Sequence, residues 1–374
     1  MDTKDAVYLD HNATTTVRSA AADAMAHALA EGGNASSVHK FGRRARKLVE
    51  DSRDAVAALV GVRPSGIVFT SGGSEANNLA LRGAGRARVL ASAVEHASVL
   101  KAAPGIEPIP VDGSGVVDVA RLDDMLARDG RPAVVSVMLA NNETGVIQPV
   151  AAVAAVAGRH GALVHCDAVQ AAGKMAVDAT ALGVDMISLS AHKIGGPAGV
   201  GALVLARDVP LKAMVLGGGQ ERGRRAGTEN VPGIAGFGAA AQAAADGIAD
   251  FQRLGRWRDE IEAQLTALAG ARVFGRDAPR LANTSCLTMP GVRAENQIIA
   301  LDLAGVAVSA GSACSSGKIE PSHVLEAMGV GADEAATAIR VSLGWDSTER
   351  DVARFLEAWA GVHAGQRSRT VAAA

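Results

Sequence analysis

Ala133-Val134-Val135-Ser136-Val137-Met138-Leu139, then Val150-Ala151-Ala152-Val153-Ala154-Ala155-Val156-Ala157-Gly158-Arg159, then Ala162-Leu163-Val164-His165 set two short apolar runs around one longer Ala-rich run. Runs of four to seven rich in Val and Leu read as strands, and the Ala-rich run reads as a helix. Their alternation predicts an α/β domain with a mainly parallel sheet. In such sheets chemistry gathers in the loops beyond the carboxyl ends of the strands, so residues just after these runs have the strongest claim to function.

Further along, Val231 to Ala269 is long, Ala-rich and then charged, the pattern of one or two extended helices, and the domain joint falls there. Beyond it, Ser285 to Met289, Val306 to Ser309 and Ala338 to Leu343 read as strands mixed with helices, a smaller α+β domain. Gly365 to Ala374 reads as a frayed tail.

The chain has 374 residues, a length that suits one large and one smaller domain. Hydrophobic residues make up 48% and charged residues 20%, enough to bury a substantial core. The net charge of −2 gives no broad field to draw in nucleic acid or an anionic membrane. Residues 1–5 are charged and lead into no secretory apolar stretch, and Val150 to Ala157 is too short to span a bilayer; a cytoplasmic location is expected. Three cysteines do not make a disulfide framework.

Several strand ends carry chemistry-bearing groups. Lys193, in Ser190-Ala191-His192-Lys193-Ile194-Gly195-Gly196-Pro197, is placed to form a Schiff base, although a lone lysine there is more often solvated. Asp167 ends Ala162 to Asp167, where it suits either a helix cap or the anion that an aldehyde cofactor needs at its pyridine nitrogen. Thr70-Ser71-Gly72-Gly73-Ser74-Glu75 runs from strand to helix and offers free N–H groups to a phosphate. It lacks the spacing of a nucleotide-binding loop. His96 follows an apolar stretch and offers a flat ring for stacking and proton exchange.

Cys314 lies in Ser309-Ala310-Gly311-Ser312-Ala313-Cys314-Ser315-Ser316-Gly317, whose small residues predict an accessible, mobile thiol. Cys166 and Cys286 sit in apolar, strand-like contexts that predict burial. No cysteine or histidine spacing suits zinc, and no metal is expected. Arg340, inside a strand-like run, calls for either a substrate carboxylate or an internal acidic partner. Gly217 to Asn230 is Gly-rich and basic, but the chain is only 3% aromatic, which disfavours single-stranded nucleic acid.

Together, these segments, from Tyr8-Leu9-Asp10-His11-Asn12-Ala13-Thr14-Thr15 to Arg340-Val341-Ser342-Leu343-Gly344, resemble the cysteine desulfurases of the NifS/IscS type. That family belongs to the class V aminotransferase group of fold-type I pyridoxal-phosphate enzymes. The resemblance implies a large cofactor-binding domain (residues 13–250) with a mainly parallel sheet of the seven-stranded type. It implies a small α+β domain from residues 1–12 and 251–374 that carries the cysteine loop. It makes Lys193 the Schiff-base lysine, sets Asp167 at the pyridine nitrogen and Gln170 at the phenolic oxygen, and stacks His96 on the ring of pyridoxal 5'-phosphate. Gly73, Ser74, Ser190 and His192 become the phosphate grip, with Thr228 supplied by the partner in a homodimer. Asn142 and Arg340, with Asn34 as a third, become the substrate-binding set for L-cysteine.

The implied reaction releases alanine and leaves the sulfur as a persulfide on Cys314. The sulfur then goes to an acceptor or iron–sulfur scaffold protein. Trp345 stands where many relatives carry a basic residue, and the segment after Val362 is short and Ala-rich. Selenocysteine lyase, another class V aminotransferase and a non-catalytic sulfur-carrier scaffold are the rival readings.

Overall fold

The computed structural model describes residues 6–310 and 321–373, so Cys314 lies outside the described residues. The strands in chain order are β1 (Val7–Tyr8), β2 (Ile67–Thr70), β3 (Arg88–Ser92), β4 (Glu107–Ile109), β5 (Ala133–Ser136) and β6 (Leu163–Asp167). They continue with β7 (Met186–Ser190), β8 (Gly201–Leu205), β9 (Thr284–Thr288), β10 (Val306–Ala307) and β11 (Ala338–Ser342). Seven of them form one sheet in the order β2-β8-β7-β6-β5-β3-β4.

Strands β7, β6, β5, β3 and β4 pair in parallel, while β8 is antiparallel to both of its neighbours. Two antiparallel steps restore direction, so β2 points the same way as β7. The carboxyl ends of β2, β3, β5, β6 and β7 therefore share one edge, which carries Gly73, His96, Asn142, Asp167 and Lys193 just beyond it.

Side chains alternate across this sheet with the period of a strand. Ile67, Phe69, Leu90, Val135, Val164, Ile187 and Val204 enter the main core on one face. Val68, Val89, Ala91, Val134, Met186 and Leu203 enter a second cluster, on the face covered by the helix Gly73–Gly83. His165 joins three strands on that second face, hydrogen bonding to Ser136 Oγ of β5 at 2.9 Å and Ser188 Oγ of β7 at 2.8 Å. Burial lowers its pKa to about 4, so the ring is a neutral tie rather than a charge.

A separate core gathers Val7, Leu9, Trp257, Leu301, Ile339, Phe355 and Trp359. It is built on the antiparallel pair β9–β11 and the parallel pair β1–β10. The stretch 231–269 forms three helices, Val231–Asp246, Ile248–Gln252 and Leu254–Ala269, where the sequence reads as one or two. Gly247 caps the first of them and opens the second. The segment from Gly365, which reads as a frayed tail, continues the helix Glu349–Ala373, in keeping with its Ala and Arg content. No helix is long and apolar enough to cross a membrane among the described residues.

The basic Gly-rich loop is held from inside. Glu221 adopts a left-handed φ of 47°, and its buried carboxylate takes Arg53 Nη1 at 2.9 Å, Arg53 Nη2 at 3.0 Å and the Phe69 N–H at 2.9 Å. Removing one partner of such a pair strands the other charge in the interior. Arg53→Met is therefore expected to lower unfolding stability by about 3–5 kcal/mol in chemical denaturation. A loss under about 1 kcal/mol, the range of exposed pairs, would show that the contact is solvent-screened.

Candidate active site

The N-terminal segment after β1 threads between the two cores, and Asn12, 1% exposed, uses nearly every polar atom it has. Its N–H donates to Ser342 Oγ at 3.0 Å, and its Nδ2 donates to the Asn142 carbonyl at 3.1 Å and Thr284 Oγ1 at 2.9 Å. Its Oδ1 accepts from Lys174 Nζ at 2.8 Å and Asn283 Nδ2 at 3.1 Å. Its carbonyl accepts from Gln170 Nε2 at 2.9 Å and Lys193 Nζ at 2.5 Å. Lys193 Nζ also donates to the Ala13 carbonyl at 2.6 Å.

Burial first, and then the Arg340 guanidinium, lower the Lys193 pKa to about 8 against the opposing pull of Asp10 and Asp167. A lysine so placed has a sizeable neutral fraction near pH 7 and can act as a nucleophile or base.

Asp167, at the end of β6, is held by Asn77 Nδ2 at 2.7 Å and the Val169 N–H at 2.9 Å. Asn77 Nδ2 also reaches Ser98 Oγ at 2.9 Å, and Ser98 Oγ lies 2.8 Å from His96 Nδ1. A single chain of contacts thus runs from Asp167 to His96. The Ser98 N–H donates to His96 Nδ1 at 3.1 Å, so a neutral ring carries its proton on Nε2. The ring is solvent-accessible, yet the surrounding walls lower its pKa, chiefly by desolvation, with Asp167 opposing. The neighbouring Glu95 is fully enclosed and takes the Met138 N–H. Burial, then the charge of Asp167, push its carboxyl well above the usual range.

Arg340, in β11, donates to Asp10 Oδ1 at 2.6 Å and to the Asn142 carbonyl at 3.0 Å. Both readings of Arg340 thus meet a fact: an internal acidic partner exists, and its buried Nε has no hydrogen-bond partner among the described residues. Ser190 ends β7 against the start of the helix Gly73–Gly83, where a Cβ on Gly73 would lie 3.5 Å from Ser190 Cβ. Likewise a Cβ on Gly201 would lie 2.6 Å from the Gly72 carbonyl carbon, so β8 must open with glycine for the loop to close down. His192 Nδ1 lies 3.2 Å from Thr14 Oγ1, and burial followed by Lys193 lowers its pKa to about 4. Ser74 sits exposed in the first turn of the same helix.

Lys193, Asp167, His96, Gln170, Asn142 and Arg340 are thus brought together, with Gly73, Ser74, Ser190 and His192 around them. Asn34 and Thr228 are exposed and apart, flanking a cleft of ≈ 530 Å³ lined by Ala35, Ser36, Gln220, Glu221 and Glu229, among others. None of the residues around Lys193 lines that cleft. Cys166 and Cys286 are buried and free, and burial raises both thiols well above the ordinary range. Trp345 carries the Arg18 guanidinium 4.7 Å above its ring and donates to the Thr16 carbonyl at 3.2 Å.

A parallel-centred seven-stranded sheet with a low-pKa lysine, a tethered carboxylate and a helix start at one edge defines the fold-type I class of pyridoxal-phosphate enzymes. The chain belongs to the class-V aminotransferase family, whose model matches residues 7–355. It is 45% identical to a cysteine desulfurase of Cereibacter sphaeroides over 94% of each chain. It is 41% identical to an IscS-like cysteine desulfurase of Mycobacterium tuberculosis over 98% of each. The crystal structure of a NifS-like protein from Rickettsia africae superposes with a TM-score of 0.89 at 35% identity, covering 96% of this chain and 99% of that one.

Enzymes of this family depend on pyridoxal phosphate, and the residues present fit it. The helix Gly73–Gly83 opens with N–H groups that no turn of the helix can satisfy. Arg340 Nε and Asn77 Oδ1 are buried polar atoms with no partner among the described residues, as expected where a polar ligand completes the site.

Sequence reasoning did not single out Asn12, Asn77, Glu95 or Lys174. Asn12 lies inside the motif Tyr8 to Thr15, but nothing in its order shows what it touches. In cofactor-free protein, acetic anhydride labelling of Lys193, followed by peptide mass spectrometry, is expected to reach half its maximal rate near pH 8. An ordinary lysine does so near about pH 10.4. Arg340→Met should raise the midpoint, because it removes a cation that opposes protonation. A wild-type midpoint near 10 would contradict the buried setting described for Lys193.

Proposed function

We propose that this chain is a cysteine desulfurase that converts L-cysteine to L-alanine and takes the sulfur as a persulfide on Cys314. The observation that carries the reading is the convergence on Asn12 of Lys193, Gln170 and the Arg340–Asn142 pair, with Asp167 tethered alongside. Relatives that share 41–45% of its residues over nearly the whole chain bear that name.

When bound, pyridoxal phosphate supplies a protonated ring that draws electrons from the bonds at the substrate's Cα. Asp167 would face the ring nitrogen, Gln170 the phenolic oxygen, and His96 the flat face of the ring. Ser74, Ser190, His192 and the N–H groups at Gly73 would hold the phosphate, together with Thr228 of the partner subunit in a homodimer. Arg340, whose Nε has no partner among the described residues, would bind the substrate carboxylate beside Asn142, while Asn34, next to Ala35 of the separate cleft, is not placed to join them within one chain.

Lys193 holds the cofactor and then moves a proton at the substrate's Cα; a pKa of about 8 leaves its amine ready to do so. The Cys314 thiolate forms a bond to the substrate sulfur as the carbon–sulfur bond breaks. The electron pair of that bond goes to carbon, which takes up a proton and leaves as alanine, so no outside oxidant is needed. Cys166 and Cys286, sealed in the cores with raised pKa values, offer no competing thiolate. In this reading residues 13–250 form the cofactor domain, and residues 1–12 and 251–374 form the small domain. The enzyme works in the cytoplasm, and an acceptor or scaffold protein takes the sulfur.

The test is to incubate pure protein with L-cysteine and a reductant and to measure alanine and sulfide together. Equal release of both is expected from the wild type, and Cys314→Ala should lower both at least about a hundredfold. Lys193→Ala should abolish both and remove the yellow colour. Full activity in Cys314→Ala would make the protein a different class V enzyme, and a preference for selenocysteine would make it a lyase of that substrate.

A further inference from the structure

Lys174 is 4% exposed and lines a small recess together with Lys193 and His11. Its charged and titratable neighbours are Lys193, Arg340 and His11, and it pairs with no carboxylate among the described residues. Burial, then Lys193 and Arg340, push its pKa well below the ordinary 10.5. Nζ donates to two acceptors, Asn12 Oδ1 and Gln170 Oε1, each at 2.8 Å. The Lys174 carbonyl is itself pinned by Gln252 Nε2 at 2.7 Å.

An amide side chain can present either end to a neighbour, and its contacts decide which. Flipping Gln170 would set its NH2 against the Lys174 N–H and its oxygen against the Asn12 carbonyl, two repulsive contacts in place of two hydrogen bonds. With Lys174 on Oε1, Gln170 Nε2 gives one N–H to the Asn12 carbonyl at 2.9 Å and keeps a second. That same Asn12 carbonyl accepts Lys193 Nζ.

We propose that Lys174 is a positioning residue for the reaction: by bridging Asn12 Oδ1 and Gln170 Oε1, it fixes the Gln170 amide so that its remaining N–H faces the cofactor's phenolic oxygen. This deepens the desulfurase reading and rests on it. Lys174 touches neither cofactor nor substrate and acts only through Gln170.

The experiment compares purified holoenzymes of the wild type, Lys174→Met, Gln170→Met and the double variant. For each, the visible absorption of the bound cofactor is titrated with pH, and kcat and KM for L-cysteine are measured. Losing an N–H donor destabilises the anionic oxygen, so Lys174→Met should move the spectral midpoint up by about one pH unit, the size of one hydrogen bond to a charged oxygen. It should lower kcat about tenfold with little change in KM. Gln170→Met should shift the midpoint similarly, and the double variant no further, because both changes remove the same hydrogen bond. A Lys174→Met midpoint equal to the wild type, or a shift that adds to that of Gln170→Met, overturns the proposal and leaves a purely structural lysine. If Lys174→Met does not fold, Lys174→Gln enters the same comparison with the same two outcomes. A wild type with no visible band and no alanine release would instead sink the desulfurase reading itself.

Discussion

The structure turns on the placement of one amide. Asn12 joins Ser342, Asn283 and Thr284 of the smaller core region to Gln170, Lys174 and Lys193 at the edge of the large sheet. Each of these contacts is buried or nearly so, and a buried amide left without partners costs about 1–3 kcal/mol per group. The network therefore tolerates one arrangement of the two regions and penalises others. Close packing reinforces it next door: a Cβ on Gly344 would fall 2.1 Å from the His11 ring, so the turn after β11 approaches this segment as only glycine allows.

Around that fixed point the environment sorts the ionisable groups. Glu95, His165, His192 and Lys174 all have their charged forms disfavoured by burial. Each makes a hydrogen bond to a neighbour. Lys193 lies between these extremes, with a pKa close enough to neutral for the amine to change protonation state in use. The low dielectric that disfavours their charged forms also strengthens the hydrogen bonds they make.

Much of this was legible in the sequence, and the reason is positional. Lys193, Asp167 and His96 each follow an apolar run, and parallel strands bring such ends to one edge. Arg340 was legible as a buried cation but not as the partner of Asp10, 330 positions away. Lys174 left no trace at all, because a lysine after Gly173 ordinarily lies in solvent. Its burial follows from the chain packing around Gly173, where a Cβ would meet Ala244 at 2.8 Å. The helix continuing through Gly365 escaped for a different reason: end effects outweigh weak helix preferences in a sequence pattern, and only the folded chain shows which prevail.

The distribution of charge follows from the same sorting. With a net charge of −2 the whole molecule gives little long-range attraction for anionic ligands. At the site, however, Arg340 has Asp10 as its carboxylate partner among the described residues, and burial disfavours the charged form of Glu95. The helix start at Gly73 adds the positive end of its dipole. An anion that reaches this edge meets donors already aimed and already short of partners, so it needs little rearrangement of the protein to bind. Preorganisation of that kind, rather than an attractive overall field, is what an edge built on one fully bonded asparagine is able to supply.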